Sequence, residues 1–362
     1  MRWRGTHLTY CLNVHPGESW DENFEAIRTH AAAVKARVAP EAEFGLGLRL
    51  SARAASELEG RVDEFRAFLE GAGMYVFTVN GFPHGRFHGT RVKENVYRPD
   101  WSTPERLDYT LRLARLLAEL LPPDVDGSIS TVPVAYGKDI AGDALANLVE
   151  AARGLARLHD QTGARVLLAL EPEPDCALET TDEAIAFFER LCERGGDAVS
   201  GFLGICLDAC HMACEFEKPA TSLRRLEAAG VRVPKVHVSS ALIVPEGEDA
   251  PALLAPFADP VYFHQTAVRS GEVISRFPDL PQAIEAAPEG EWRVHFHVPL
   301  HFSAESGLRS SSHLLGEEFI AAAVKPGRHV EIETYTFDVL PGPRGDVVDS
   351  IVSEFTWLLG GS

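Results

Sequence analysis

Four residues in the second half of the chain have the side chains of a divalent-metal site, and each stands where an apolar run ends. Glu171 follows Arg165–Leu170, Asp208 follows Leu203–Leu207, His237 lies in Val233–Val238, and Glu333 lies in Val330–Tyr335. Three carboxylates and an imidazole, without a thiolate, suit Mn²⁺, Mg²⁺, Co²⁺ or Zn²⁺. Gathered away from water, the carboxylates would raise one another's pKa unless a cation neutralised them. Each residue also has a plainer reading. Glu171 can cap a helix or pair with an arginine, Asp208 can be the N-cap of the next helix, and His237 can be a hydrogen-bonded core histidine. Glu333 can share a polar strand face with Glu331. It is the common position at the ends of apolar runs that favours the metal reading.

The elements that must position these residues alternate along the chain. Nine runs read as strands: Leu8–Val14, Phe44–Leu50, Met74–Asn80, Gly127–Val134, the four named above, and Trp292–Val298. Between them lie helical stretches, three opened by a capping pattern: Ser19-x-x-Glu22, Ser102-x-x-Glu105 with Pro104, and Thr180-x-x-Glu183. These helices are expected to reach about Val38, to follow Trp101, and to end near Glu193. Others span about Asp143–Thr162, Ser222–Ala229 and Asp346–Leu358. Strand–helix alternation with continuous apolar strands predicts a parallel sheet covered on both faces. Gly45-Leu46-Gly47 lacks the third glycine of a nucleotide fingerprint, which disfavours an open doubly wound sheet. The expectation is one α/β domain over 1–362, a (β/α)8 TIM barrel whose C-terminal strand ends converge on the active mouth. It carries an insertion over about 243–290 and an extra strand before the last barrel strand.

Composition narrows the function. The 362 residues carry 34 Lys+Arg against 53 Asp+Glu, a net charge of −19. A field of that sign repels nucleic-acid phosphate and anionic membranes. No run approaches a membrane span, and no apolar segment follows the basic start, so a cytoplasmic location is expected. Six cysteines are too few for a disulfide scaffold. Cys206-x3-Cys210-x3-Cys214 has none of the usual metal spacings and reads as small buried residues.

Leu168-Ala169-Leu170-Glu171-Pro172, Cys206-Leu207-Asp208-Ala209-Cys210-His211-Met212, Val236-His237-Val238-Ser239 and Val330-Glu331-Ile332-Glu333 resemble, in order, the metal strands of the xylose isomerase-like TIM barrels, which include ketose 3-epimerases and other sugar isomerases. The resemblance implies one divalent ion on Glu171, Asp208, His237 and Glu333, with Glu171 and Glu333 exchanging a substrate proton. It places His211 beside the metal or on substrate oxygens, and Glu179 near a substrate-binding glutamate of the epimerases. Longer strings resemble the EboE family of metabolite traffic proteins: His7-Leu8-Thr9-Tyr10-Cys11-Leu12-Asn13-Val14-His15-Pro16-Gly17, Thr78-Val79-Asn80-Gly81-Phe82-Pro83, Val294-His295-Phe296-His297-Val298-Pro299 and Glu333-Thr334-Tyr335-Thr336. That resemblance implies a setting among other Ebo-system proteins that move secondary-metabolite precursors.

Further candidates come from the early strands and the extra one. Asn13, His15, Asn80, His84 and His88 follow early strands. Asn13 and Asn80 read as binders of substrate hydroxyls, and Arg49 as an anion contact. Alternation puts His295 and His297 on one face. If that face looks inward, His297, with His301 nearby and His211, is a candidate for a second metal. Three functions compete. The first is a metal-dependent isomerase or epimerase acting on a sugar, polyol or cyclitol-like metabolite. The second is a multi-metal hydrolase, or an oxidase using iron. The third is a non-catalytic metabolite-binding component of the Ebo system.

Overall fold

The computed structural model describes residues 1–89, 91–140, 142–303, 307–342 and 345–360. Eight parallel strands form the barrel: β1 (Thr6–Tyr10), β2 (Phe44–Arg49), β3 (Met74–Asn80), β4 (Gly127–Thr131), β5 (Val166–Leu170), β6 (Leu203–Asp208), β7 (Lys235–Val238) and, after the insertion, a last strand at His329–Ile332. The last strand pairs with both β7 and β1. A parallel bridge between Cys11 and Gly47 joins the β1 edge to β2 and closes the ring. A two-residue strand, Arg2–Trp3, pairs antiparallel outside β1.

The insertion is larger than its expected limits of 243–290 and has its own sheet. Antiparallel strands β8 (Leu242–Val244), β9 (Thr266–Ser270), β10 (Val273–Phe277), β11 (Glu291–Val294) and β12 (Arg309–Ser310) lie in the order β10-β9-β11-β8-β12. The final barrel strand is therefore β13 (His329–Ile332). The insertion buries a separate cluster that includes Leu242, Leu254, Trp292 and Phe296. The expected extra strand Trp292–Val298 is a strand only as far as Val294. Beyond that residue one more backbone bond, from the His295 amide to Gln265 O at 2.8 Å, ties the chain to the insertion before it leaves the sheet, and His295 and His297 are buried beside the barrel mouth.

Two capping boxes form as their residues dictate, at Ser19/Glu22 and Thr180/Glu183. The third expected cap shifts by one residue, because Thr103 is the N-cap of the helix Pro104–Leu120. The helix expected to stop near Glu193 starts at Thr181 and breaks at Gly196 (φ 56°, ψ −140°), and a second helical stretch follows the kink directly and reaches Phe202. The stretch after β2 is two helices, Ala52–Leu58 and Val62–Ala72.

Below the mouth the barrel interior is ionic rather than aliphatic. Side chains two apart on a strand share a face, so Lys235 and His237 on β7, and Glu331 and Glu333 along β13, all point inward. Lys235 Nζ lies 2.6 Å from Glu331 Oε2, both fully buried. Burial opposes the Glu331 charge, but Lys235 and His237 hold its pKa at about 2. Gly47 makes room for this pair, since a Cβ there would lie 1.7 Å from Glu331 Oε1.

Candidate metal centre

Strand register assembles the four expected ligands. Asp208 on β6 is opposite His237 on β7, and His237 is opposite Glu331 on β13. Glu171 and Glu333 are the first residues past β5 and β13. Their amides continue the ladder to Thr131 O and Val238 O, which holds both side chains at the rim. One donor atom from each of Glu171, Asp208, His237 and Glu333 lies within 4.8 Å of the other three, and all four residues are buried.

The donor set fits a divalent cation. His237 Nδ1 is 2.9 Å from Glu171 Oε1, 3.1 Å from Glu333 Oε2 and 3.5 Å from Asp208 Oδ2. Adjacent ligands of an ion bound at about 2.1 Å stand roughly 3.0–3.5 Å apart. Glu171 Oε2 and Asp208 Oδ2 are buried without a hydrogen-bond partner, which is costly for carboxylates unless something positive sits between them. Burial alone would discharge His237, yet the facing Cys206, Glu171 and Glu333 push its pKa well above 6.5. Burial also opposes the Asp208 charge, but His211, His297 and His237 hold it well below the usual carboxylate range.

The plainer readings of two ligands also hold. Asp208 is the N-cap of the helix Ala209–Cys214: its Oδ1 accepts from the His211 amide (2.9 Å) and Ser239 Oγ (2.7 Å), leaving Oδ2 for the site. His237 is hydrogen-bonded through Nε2 to Glu331 Oε2 at 3.0 Å, a carboxylate–imidazole arrangement that orients a metal-ligating histidine.

A second group lies beside the first. His211 Nδ1 is 2.9 Å from Pro172 O, and its Nε2 is 3.8 Å from Asp208 Oδ1. His295 Nε2 and His297 Nε2 are 3.3 Å apart. Donor atoms of Glu173, His211 and His295 lie within 4.8 Å of one another, as do those of Asp208, His211 and His297. Cys210 lies equally close to His295 and His297. Glu173, assigned no role above, is buried, and burial raises its pKa to about 8 although Tyr97 donates to its Oε1 at 2.9 Å. Its signal was present in Glu171-Pro172-Glu173-Pro174, where proline-fixed extended backbone puts both glutamates on one side.

Other expectations sort differently. Asn13 and Asn80 reach the mouth, and both amides donate to Glu333 Oε1, at 2.8 and 3.1 Å. Arg49 does not serve as an anion contact: its guanidinium is held by the carbonyls of Gly17 (2.6 Å) and Gly85 (2.8 Å) and by Glu18. Glu179 turns away from the site to pair with Lys138 and accept from the Asp175 amide. His301 lies in a separate surface depression with Phe302 and Phe337. His15 bonds Tyr10 and stacks on His30. The cysteines are unpaired, and all but half-buried Cys192 are buried.

Residues 45–251, more than half of the sequence, match the xylose isomerase-like TIM barrel family. The chain belongs to that family. Among solved structures, it superimposes on a candidate xylose isomerase from Rhodospirillum rubrum with a TM-score of 0.52 at 12% identity, over 99% of this chain and 100% of that one. The IolI protein with a bound zinc atom gives 0.51 at 11% identity, covering 98% of both chains. No curated protein matches the sequence. Among the described residues, no helix is long and apolar enough to cross a membrane.

The centre opens on a cavity with about 530 Å³ of empty space, part of it open to solvent. Its floor includes Asn13, Asn80, Glu171, Glu173, His211 and Glu333. Its walls come from the segment after β3 and from the insertion, which Lys93 ties together through an ion pair with Asp279.

Proposed function

We propose that the protein is a divalent-metal-dependent isomerase or epimerase acting on a sugar, polyol or cyclitol-like metabolite. The observation that carries this reading is the convergence of Glu171, Asp208, His237 and Glu333, with two unpartnered carboxylate oxygens, at the foot of a cavity that opens on the barrel mouth. A cation held by these four residues supplies Lewis acidity to neighbouring substrate oxygens. One glutamate, as carboxylate, takes the proton from the carbon beside those oxygens. The electron pair moves onto the carbonyl oxygen as an enediolate, and the other glutamate, as carboxylic acid, returns a proton to carbon. Asn13 and Asn80 fix the Glu333 carboxylate during both transfers. The zinc of the IolI protein supports a metal in the same kind of barrel.

Solvent-proton exchange at a carbon adjacent to a carbonyl tests this reading. Glu171→Gln and Glu333→Gln are each expected to slow exchange by about 10³-fold, the typical worth of a positioned acid or base. Full exchange in Glu333→Gln rejects the mechanism. The EboE-like motifs add a setting to the proposal: a role in handling a secondary-metabolite precursor in the cytoplasm, beside other Ebo-system proteins.

A second reading has its own observation, the cluster of Glu173, His211, His295 and His297. These donors suit a second ion and hydrolytic or iron-based oxidative chemistry. Elemental analysis separates the two readings. One ion per chain supports the isomerase, whereas two or more, reduced by His295→Ala, support the multi-metal centre.

A further inference from the structure

The cavity above the centre has two chemically opposite ends. Its floor carries carboxylates, imidazoles and carboxamides, whereas its upper wall includes Phe82, Phe87, Val92, Val96 and Phe263. Phe87 packs against Tyr262 at 5.2 Å and Tyr335 at 5.4 Å between ring centres, extending the aromatic surface. Two distant stretches build this wall and are joined by backbone as well as by charge, since the Val92 amide donates to Val261 O at 2.9 Å.

We infer that the ligand is an unphosphorylated amphiphile, with its oxygens gathered on one edge and an aromatic or alicyclic body against the upper wall. The inference rests on the metal-centre reading above and, within its substrate class, selects cyclitol-like rings that keep apolar carbons over fully hydroxylated sugars and polyols. A molecule with hydroxyls on every carbon would press several of them against phenyl and valine side chains, losing affinity by about tenfold or more for each unpaired group. A phosphate finds no free cation. Among the described residues, Lys93 is the one lysine or arginine lining the cavity, and its ammonium is paired with Asp279 and lies 5.3 Å over the Phe263 ring. The Arg49 guanidinium lies 5.7 Å from the Phe87 ring centre and is engaged by backbone carbonyls. Glu171 and Glu333 at the floor add repulsion. An apolar body on a few well-placed polar groups is the ordinary composition of a small-molecule site.

The test uses the full chain, with and without added Mn²⁺, titrated by calorimetry with four probes: 2-hydroxyacetophenone, dihydroxyacetone, D-fructose and dihydroxyacetone phosphate. The aryl hydroxyketone is expected to bind the metal-loaded protein about tenfold or more tighter than dihydroxyacetone, as burial of a phenyl group predicts. The phosphate ester is expected to bind weakest. Phe263→Ala should cut the aryl advantage by about fivefold at unchanged metal content. Equal or tighter binding of D-fructose or the phosphate ester, or no binding of the aryl probe, overturns the inference. Proton exchange into the bound aryl probe is followed separately in D2O. Its absence counts against the proton-transfer reading, while the affinity ranking still decides the ligand class.

Discussion

Glu333 has its two oxygens in different service: Oε1 accepts from Asn13 and Asn80, and Oε2 faces His237. A hydrogen bond to a charged group contributes about 1.5–3 kcal/mol, so losing one amide lets the carboxylate swing without removing a metal donor. Asn80→Ala is therefore expected to keep its metal while slowing proton exchange by about 10- to 100-fold, measured by elemental analysis and deuterium incorporation on one preparation. Loss of metal together with exchange would make Asn80 a structural support instead. His237→Ala is expected to leave metal content well below one ion per chain, because it removes the donor that three carboxylates surround. The convergence of the four candidate ligands was legible in the sequence because strand ends announce themselves by hydrophobicity, and four such ends carried metal-binding side-chain types. Arg49 and Glu179 misled because a charge at a strand end or beyond it looks the same whether it faces the mouth or a backbone carbonyl. Only the folded chain shows that Gly17 and Gly85 claim the first and Lys138 the second.

Strands β7 and β13 carry a different pair below the metal, Lys235 with Glu331, and the two charges have unequal roles. Removing one partner of a buried ion pair typically costs about 3–5 kcal/mol, whereas replacing both with apolar residues is often nearly neutral. Lys235→Met should lower unfolding stability by that amount, and the double variant Lys235→Met/Glu331→Leu should recover most of it in denaturant titrations. Metal affinity should not recover with it. Glu331 also orients His237 through Nε2, and loss of such a partner weakens binding by about 10- to 100-fold. Recovery of both properties would show that the His237–Glu331 bond does not support the centre. This layer was only half visible in the sequence, which revealed Glu331 and Glu333 on one face but not the lysine across from them. Element limits were misread where local signals compete with tertiary ones. Gly195-Gly196 does interrupt the helix as the sequence suggests, since Gly196 leaves helical geometry (φ 56°, ψ −140°), but a further helical stretch to Phe202 follows the break without a loop. His295 and His297 alternate as in a strand, but past Val294 the His295 amide bonds only the neighbouring strand's approach, at Gln265 O, and both imidazoles lie buried beside the mouth.

At the scale of the whole molecule, the insertion, the end of β13 and the C-terminal helix Val347–Leu359 meet at one buried carboxyl. Glu354 is 1% exposed, and its Oε1 accepts from the Leu300 amide at 3.1 Å and Thr334 Oγ1 at 2.7 Å. Burial raises its pKa from 4.5 to about 7, with the two hydrogen bonds opposing the shift only in part. Between those two pH values the folded chain keeps a proton that the unfolded chain has lost, so this group makes stability fall as pH rises. Below about 4.5 the carboxyl is protonated in both states and contributes no such loss. Above about 7 the whole deficit is present, on the order of 3 kcal/mol for a shift of this size. Glu354→Gln keeps an accepting oxygen and cannot ionise. It is therefore expected to match the parent chain near pH 4.5 and to exceed it by up to about 3 kcal/mol at pH 8, with the gain growing across the interval. Urea unfolding of both proteins at several pH values measures that difference directly. A difference independent of pH would mean that Glu354 titrates alike in the folded and unfolded chains, so that burial at the junction of insertion, barrel and last helix does not hold its proton.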